Sequence, residues 1–148
     1  MLQTIRVRIL PIVVAVLALT ACGGHKSPSP ESVARAWSAA LDRSDNEAAA
    51  RLFADGAQVV QSDEITLETH ADALRWNAAL PCGGRITKVI HQAPDEVLVV
   101  FALNERPRHM CDAPGADAAA IFRVEHGKIV LWHQTVPPDE SPPPDGTV

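Results

Sequence analysis

Residues 118–134, AAAIFRVEHGKIVLWHQ, decide the predicted fold of this chain. The stretch reads as two strands joined by a two-residue turn at His126-Gly127. Its aliphatic, β-branched and aromatic residues are those that a half-buried sheet favours. The turn needs positive φ, which glycine adopts freely and histidine tolerates. We therefore predict a β-hairpin near the C-terminus, onto which the earlier elements pack.

Three segments ahead of the hairpin predict helices, at residues 30–43, 44–53 and 70–80. Ser29 is the N-cap of the first helix, and a Ser44-x-x-Glu47 capping box starts the second. Thr69 can cap the third helix. Apolar side chains at helical spacing should face the core, namely Val33, Ala36, Trp37, Ala40 and Leu41 in the first helix and Ala71, Leu74 and Ala78 in the third.

Three strands are predicted at residues 57–61, 85–93 and 97–106, and a loop at 107–117 leads to the hairpin. Alternation places Ile86 and Ile90 on one face of their strand and Val89 on the other. The run VLVVFAL at the start of the next strand is apolar on both faces, so both faces should be covered. Helices grouped before hairpin-connected strands indicate an α+β fold, in which helices pack on a mainly antiparallel sheet.

Length and charge limit the possible functions. A chain of 148 residues allows one domain with processing segments at its ends. A net charge of -5 argues against nucleic acid as a partner. The sequence has no phosphate loop, nucleophile motif or cofactor fingerprint, and we expect no cofactor.

Residues 1–21 have the order of a secretory signal, with Arg6 and Arg8 ahead of an apolar run. The segment Leu19-Thr20-Ala21-Cys22 that follows resembles the lipobox of bacterial lipoproteins. The resemblance implies cleavage before Cys22, acyl chains on this residue, and a stable lipid anchor in the cell envelope outside the cytoplasm. The alternative is an ordinary signal peptide that leaves Cys22 near the mature N-terminus.

The predicted mature chain has three parts. Residues 22–29 are the lipidated cysteine and a flexible tether rich in Gly, Ser and Pro. Residues 30–136 form the folded domain. Residues 137–148 include five prolines and few apolar side chains, so we expect a disordered tail.

The order of elements, with VARAWSAALDRSDNEAAARLFADGAQVV at residues 33–60 and FRVEHGKIVLWHQ at 122–134, resembles the nuclear transport factor 2-like (NTF2-like) superfamily, in particular its SnoaL-like branch. The resemblance covers about residues 30–136. It implies a curved sheet wrapped around helices, which makes a cone with an apolar pocket. This fold hosts isomerases, cyclases, dehydratases and non-catalytic modules, so it does not define a function.

Cys82 and Cys111 remain once Cys22 is lipidated, and both lie in Gly/Pro-rich loops at strand ends. Because the compartment is oxidising, we predict a disulfide between them. The alternative is a metal site in which His109 joins these cysteines. No second ligand pair has metal-site spacing, so we favour the disulfide and predict no metal.

Aromatic side chains and one histidine are the candidates for the pocket wall: Trp37, Phe53, Trp76, Phe101, Trp132 and His133. Trp132 and His133 point to opposite faces of their strand, so only one of them can see the interior. His133 with Asp63 is the candidate acid–base pair, although Asp63 reads equally as a polar loop residue. Ketosteroid isomerases of this fold use a tyrosine and a neutral aspartic acid, and this chain has no tyrosine.

Three functions are compatible with these features. The first is a binding module for a small apolar ligand or a partner protein, and the second is an isomerase or cyclase that uses His133 with an acid. The third is a dimerising module that pairs through the outer sheet face. We favour the binding module and assign no catalytic residue, because the chain lacks tyrosine and an evident acid–base constellation. Its other expected contact is the membrane, through the lipid anchor.

Overall fold

The computed structural model describes residues 26–138. The predicted signal peptide, Cys22, the start of the tether and most of the Pro-rich tail lie outside the described residues. Within 26–138 the chain forms three helices and six strands, and none of these helices is long and apolar enough to span a bilayer. The elements are α1 (Pro30–Asp42), α2 (Asn46–Ala50), β1 (Phe53–Val60), β2 (Glu64–Leu67), α3 (His70–Ala79), β3 (Gly83–Ala93), β4 (Glu96–Asn104), β5 (Asp117–Glu125) and β6 (Lys128–Thr135).

The six strands form one sheet in the order β2-β1-β6-β5-β4-β3. Strands β3 to β6 are an antiparallel meander, whereas β1 pairs parallel to β6 and antiparallel to β2. The helices pack on one face of this sheet and enclose the main core. The predicted α+β class is therefore confirmed.

The predicted hairpin is confirmed as β5 and β6. His126 and Gly127 have φ of 51° and 77°, so both turn residues lie in the left-handed region that a two-residue loop requires. Along β6, Ile129 and Trp132 are buried and face the helices. The hairpin turn also contacts the tether, because Pro28 lies so close to Gly127 that no side chain fits there.

The first helix begins as predicted, with Ser29 accepting a bond from the Ser32 amide and Pro30 in the first turn. Its predicted face is wrong at Ala36, which is exposed, while Ala34 and Ser38 are buried. The face is therefore wider than the simple i, i+3, i+4 pattern, because β3 packs against its side.

The predicted capping box at the second helix is wrong. Ser44 has φ of 54° and donates its hydroxyl to the Pro107 carbonyl, whereas Asp45 caps α2 by accepting from the Ala48 amide. The helix is also shorter than predicted and ends at Ala50. Phe53 belongs to β1, where it pairs with Ile129 of β6 and its side chain is buried.

Two further differences involve β1 and β2. Strand β1 begins four residues before the predicted start at Ala57, and its pairing with β6 is irregular between Phe53 and Gln58. Gly56 lies inside that irregularity with φ of 78°, a conformation that glycine adopts freely and that bends the strand there. The short edge strand β2 was not predicted, because three of its four residues are exposed.

In α3, the Thr69 cap is confirmed and Asp72 completes a capping box with it. The predicted apolar face is wrong at Ala71 and Ala78, which are exposed, whereas Leu74 packs against the main core as predicted. The helix instead faces the core with Ala73 and Asn77, and a polar residue occupies this face because it has buried hydrogen-bond partners.

The predicted alternation along β3 is also wrong. The register shifts between Ile86 and Lys88, so Thr87 is an extra residue in the strand. Such a bulge moves the residues after it to the other face. Ile86 and Val89 consequently pack on the main core, whereas Ile90 joins a small cluster on the outer face with Leu98, Val100, Ala119 and Ile121.

Candidate functional site

A cavity of about 310 Å³ lies between α1 and the inner face of the sheet. Its wall is built where α1 ends, where β3 and β5 begin, and where β4 and β6 end. Two hydrogen bonds fasten α1 to the start of β3, because the Ser38 hydroxyl donates to the Gly84 carbonyl at 2.6 Å and the Gly84 amide donates to Asp42 at 2.9 Å. The cavity is therefore framed by regular elements that are tied to each other.

Three of the predicted aromatic residues line this cavity, namely Trp37, Phe101 and Trp132. The ring centroid of Trp37 lies 5.9 Å from that of Trp132 and 6.1 Å from that of Phe101. These separations are those of packed aromatic pairs, which give rigid walls. An apolar, rigid wall of this kind suits a flat or ring-shaped apolar ligand.

The indole groups of these two tryptophans differ in their hydrogen bonds. The Trp37 Nε1–H donates to Asn77 Oδ1 at 2.8 Å, in a fully buried contact. The Trp132 Nε1 atom is equally buried, yet within residues 26–138 it has no hydrogen-bond partner. An unpaired buried donor is uncommon in folded proteins.

Four of the seventeen lining residues have polar side chains: Ser38, Gln61, Asp112 and Gln134. Gln61 Nε2 donates to Gln134 Oε1 at 3.2 Å, and Trp76 Nε1 donates to Gln61 Oε1 at 3.3 Å. These amides are solvent-exposed, so they form a polar edge to an apolar cavity. Asp112 is the only ionisable side chain among the lining residues that the structure describes.

The predicted disulfide is present, and it lies at the cavity wall. Cys82 lines the cavity and is bonded to Cys111, with their Cα atoms 4.5 Å apart. It ties the segment between α3 and β3 to the loop between β4 and β5. The two cysteines are 29 positions apart, and closing a loop of this length stabilises the folded state by about 3.5 kcal/mol in the chain-entropy model. Because both sulfur atoms are bonded to each other, the alternative thiolate metal site with His109 is wrong, and the His109 ring instead bonds the carbonyls of Pro107 and Ala78.

The remaining candidates lie elsewhere. Phe53 and Trp76 belong to the aromatic core beside the cavity, with Trp76 5.1 Å from Trp132 between ring centroids. His133 is half-buried on the outer sheet face, where it pairs with Ile121. Asp63 lies in the β1–β2 turn and lines a neighbouring surface recess, which shares Gln61 and Gln134 with the cavity. Among the described residues, neither His133 nor Asp63 contributes to the cavity wall.

Away from the cavity, a cluster of polar groups surrounds Arg106, which is buried and only 2% exposed. Its guanidinium donates to the Ser44 hydroxyl at 3.2 Å, to the carbonyls of Asn77 and Leu80 at 3.1 Å each, and to Asn46 Oδ1. We name these five residues the Arg106 junction. It joins the α1–α2 connection, the C-terminal turn of α3 and the segment after β4.

Burial lowers the pKa of Arg106, and the nearby negative charge of Asp42 acts against that shift. Arginine remains protonated because its ordinary pKa is far above neutral pH. The role of this residue is not predicted from the sequence, since its partners are 26 to 62 positions away along the chain. The only local signal was an arginine at the end of an apolar strand.

Comparisons with solved structures identify the fold. The structure resembles an NTF2-like protein of unknown function from Cytophaga hutchinsonii, with a TM-score of 0.60 and 11% identity over 75% of this chain and 92% of that one. It also resembles a candidate polyketide cyclase from Sinorhizobium meliloti (TM-score 0.57, 18% identity, 70% and 93% coverage). A candidate ketosteroid isomerase from Kribbella flavida gives a TM-score of 0.55 and 22% identity, with 76% and 80% coverage.

Neither a protein-family model nor a curated protein matches the sequence. At these identities the solved structures define an architecture but not an activity. The shared architecture is the helix-packed, mostly antiparallel six-stranded sheet described above. The chain therefore has the NTF2-like fold.

Proposed function

We propose that this domain is a non-catalytic binding module for a small, mainly apolar ligand. The supporting observation is the composition of the cavity wall, in which aromatic, aliphatic and small residues surround four polar side chains. Pockets of this size with a few polar groups are typical of small-molecule sites.

The placement of His133 favours binding over turnover. General acid–base catalysis needs a titratable group within hydrogen-bond reach of the reacting atoms. His133 lies on the opposite face of β6 from Trp132, and the wall has a single carboxylate at Asp112. An isomerase or cyclase role therefore has less support than ligand binding.

The binding proposal is tested by filling the cavity. Ala118 lies opposite Phe101 in the β4–β5 ladder and lines the cavity, so leucine at this position would occupy ligand space. We expect Ala118→Leu to weaken binding of 2-ethylnaphthalene, a neutral bicyclic probe, at least tenfold. The free energy of unfolding should change by less than about 1 kcal/mol, because the added atoms enter empty space. Titration followed by the indole signals of the three tryptophans in ¹⁵N NMR measures the affinity.

The matched control is Ala102→Leu. Ala102 is the neighbour of Phe101 on β4 and therefore points to the outer face, where the same added volume leaves the cavity unchanged. Its probe affinity should equal that of the wild type. If both leucine variants bind the probe as the wild type does, this cavity is not the binding site.

We also propose that the domain is held at the cell envelope by a lipid on Cys22. The support is the lipobox-like segment, together with a disulfide that is compatible with an oxidising compartment. Cys22→Ser should abolish labelling by an alkyne fatty acid and leave the precursor uncleaved. Wild-type labelling and processing of this variant would contradict the anchor.

A further inference from the structure

We propose that Trp76, Gln61 and Gln134 form an amide relay that makes the cavity selective for apolar ligands with an uncharged hydrogen-bond acceptor, such as an ester carbonyl. This ligand class rests on the proposed function, because it describes what the same cavity takes. The relay is defined by two side-chain hydrogen bonds, which run from Trp76 in α3 through Gln61, the residue after β1, to Gln134 in β6.

The relay has a fixed direction because it starts at an indole. An indole N–H can only donate, so the Gln61 oxygen must face Trp76, at 3.3 Å. The nitrogen of Gln61 then faces Gln134 and donates to its oxygen at 3.2 Å. The Gln134 Nε2 group therefore stands at the end of the relay, where its N–H groups can donate to a ligand. A ligand atom that binds there must be an acceptor.

The end of the relay lies at the cavity. Gln61 and Gln134 both line it, and Gln134 is two residues after Trp132 on the same face of β6. Both amides are exposed, so a ligand acceptor would replace bound water without leaving a buried amide unpaired. An apolar body against Trp37 and Trp132 would place its polar group at this edge.

The charge of the lining residues favours neutral acceptors over carboxylates. Among the described residues that line the cavity and the neighbouring recess no cation is present, and the ionisable side chains there, Asp112 and Asp63, are both acids. A ligand carboxylate would lose hydration, approach a like charge and gain no counter-ion. An ester or amide carbonyl accepts the same hydrogen bond without these penalties.

Three probes with one naphthalene body separate these contributions: methyl 2-naphthoate, 2-naphthoate and 2-ethylnaphthalene. The experiment uses the full chain in detergent micelles at pH 7, with affinities from the tryptophan indole signals. We expect the ester to bind threefold to tenfold more tightly than the hydrocarbon, the range of one net hydrogen bond. The carboxylate should bind at least tenfold more weakly than the ester.

Gln134→Met tests the terminal donor. Methionine keeps the length of the side chain but removes its N–H groups, so the ester should lose its advantage while the hydrocarbon keeps its affinity. The matched control is Gln58→Met, since Gln58 is exposed on the outer face of neighbouring β1, where it pairs with Leu131. This control should retain the wild-type preference for the ester.

Trp76→Phe tests the positioning residue. Phenylalanine keeps an aromatic ring in the core but removes the indole donor, so Gln61 and Gln134 can each turn their amides. The ratio of ester to hydrocarbon affinity should then fall towards one. General loosening of the core would weaken both probes equally and leave that ratio unchanged.

The outcomes distinguish the relay from the proposed function. Equal affinity of the ester and the hydrocarbon in the wild type would overturn the relay and leave the binding module standing. If the Gln134→Met variant still binds the ester more tightly than the hydrocarbon, the relay is overturned and the binding module stands. Absence of any indole shift with all three probes would overturn both.

Discussion

The Arg106 junction and the cavity wall are adjacent regions that treat buried polar groups in opposite ways. Arg106 and Trp132 are 2% and 6% exposed, so both side chains are removed from water. The guanidinium of Arg106 donates hydrogen bonds to three segments of the chain. The indole nitrogen of Trp132 has no partner among the described residues. The junction donates four hydrogen bonds from its guanidinium, whereas the cavity wall leaves an indole N–H unpaired.

This difference indicates what each region contributes to the protein. A buried charge is tolerated only when it is surrounded by partners, so the junction fixes the relative positions of three segments. A wall with a space and an unpaired donor is less than optimally stable, and natural proteins accept such losses mainly at functional sites. We infer that the junction maintains the fold, whereas the cavity wall fits the proposed binding function.

The largest expected effect comes from breaking the junction. Arg106→Met keeps most of the aliphatic volume but leaves the carbonyls of Asn77 and Leu80 without their donor. We expect a loss of about 3–5 kcal/mol in the free energy of unfolding, because these two carbonyls and the Asn46 oxygen each lose a donor, at about 1–3 kcal/mol for an unsatisfied buried group. Urea unfolding followed by tryptophan fluorescence measures it.

Arg85→Met is the control for this substitution. Arg85 is exposed on β3, and surface substitutions of this kind change stability by less than about 0.5 kcal/mol. Similar unfolding midpoints for the two methionine variants would show that the junction contributes little to stability.

The sequence predicted those parts of the fold that depend on local chemistry. The turn at His126-Gly127, the Ser29 cap and the Thr69 cap all act between residues a few positions apart, so their patterns are visible in one segment. The errors come from tertiary context. The bulge at Thr87 is a feature of the pairing of β3 with β4, and the irregularity around Gly56 is a feature of the pairing of β1 with β6, so no local pattern encodes either.

In the candidate site, the aromatic wall residues were predictable from the sequence and the pairing of the two glutamines was not. Trp37, Phe101 and Trp132 are large apolar residues on core-facing positions, so their presence around a cavity follows from periodicity. Gln61 and Gln134 are separated by 73 positions, and each alone reads as an exposed polar residue. Their relation depends on β1 pairing in parallel with β6, which was not predicted.

The smaller prediction compares the two tryptophans of the cavity wall directly. Trp37 and Trp132 are 5% and 6% exposed and both line the cavity, so phenylalanine removes similar ring volume at each. The two substitutions differ in one hydrogen bond, because Trp37→Phe leaves the buried Asn77 oxygen without its donor, whereas Trp132→Phe removes a donor that had no partner. We expect Trp37→Phe to be the more destabilising by about 1–3 kcal/mol, the penalty for an unsatisfied buried polar atom.

Asn77→Ala provides the test of that cause. Without the Asn77 side chain, the indole of Trp37 has no acceptor at this position, so the two phenylalanine variants should then lose similar free energy of unfolding. A difference that persists in the Asn77→Ala background would assign it to packing around Trp37 instead of to the hydrogen bond. Equal losses in the wild-type background would mean that the unpaired indole of Trp132 is stabilised in another way, for example by the face of Trp76 at 5.1 Å between ring centroids. In that case the buried N–H of Trp132 would have a partner, as the N–H groups of the junction do, and the contrast between the two regions would no longer hold.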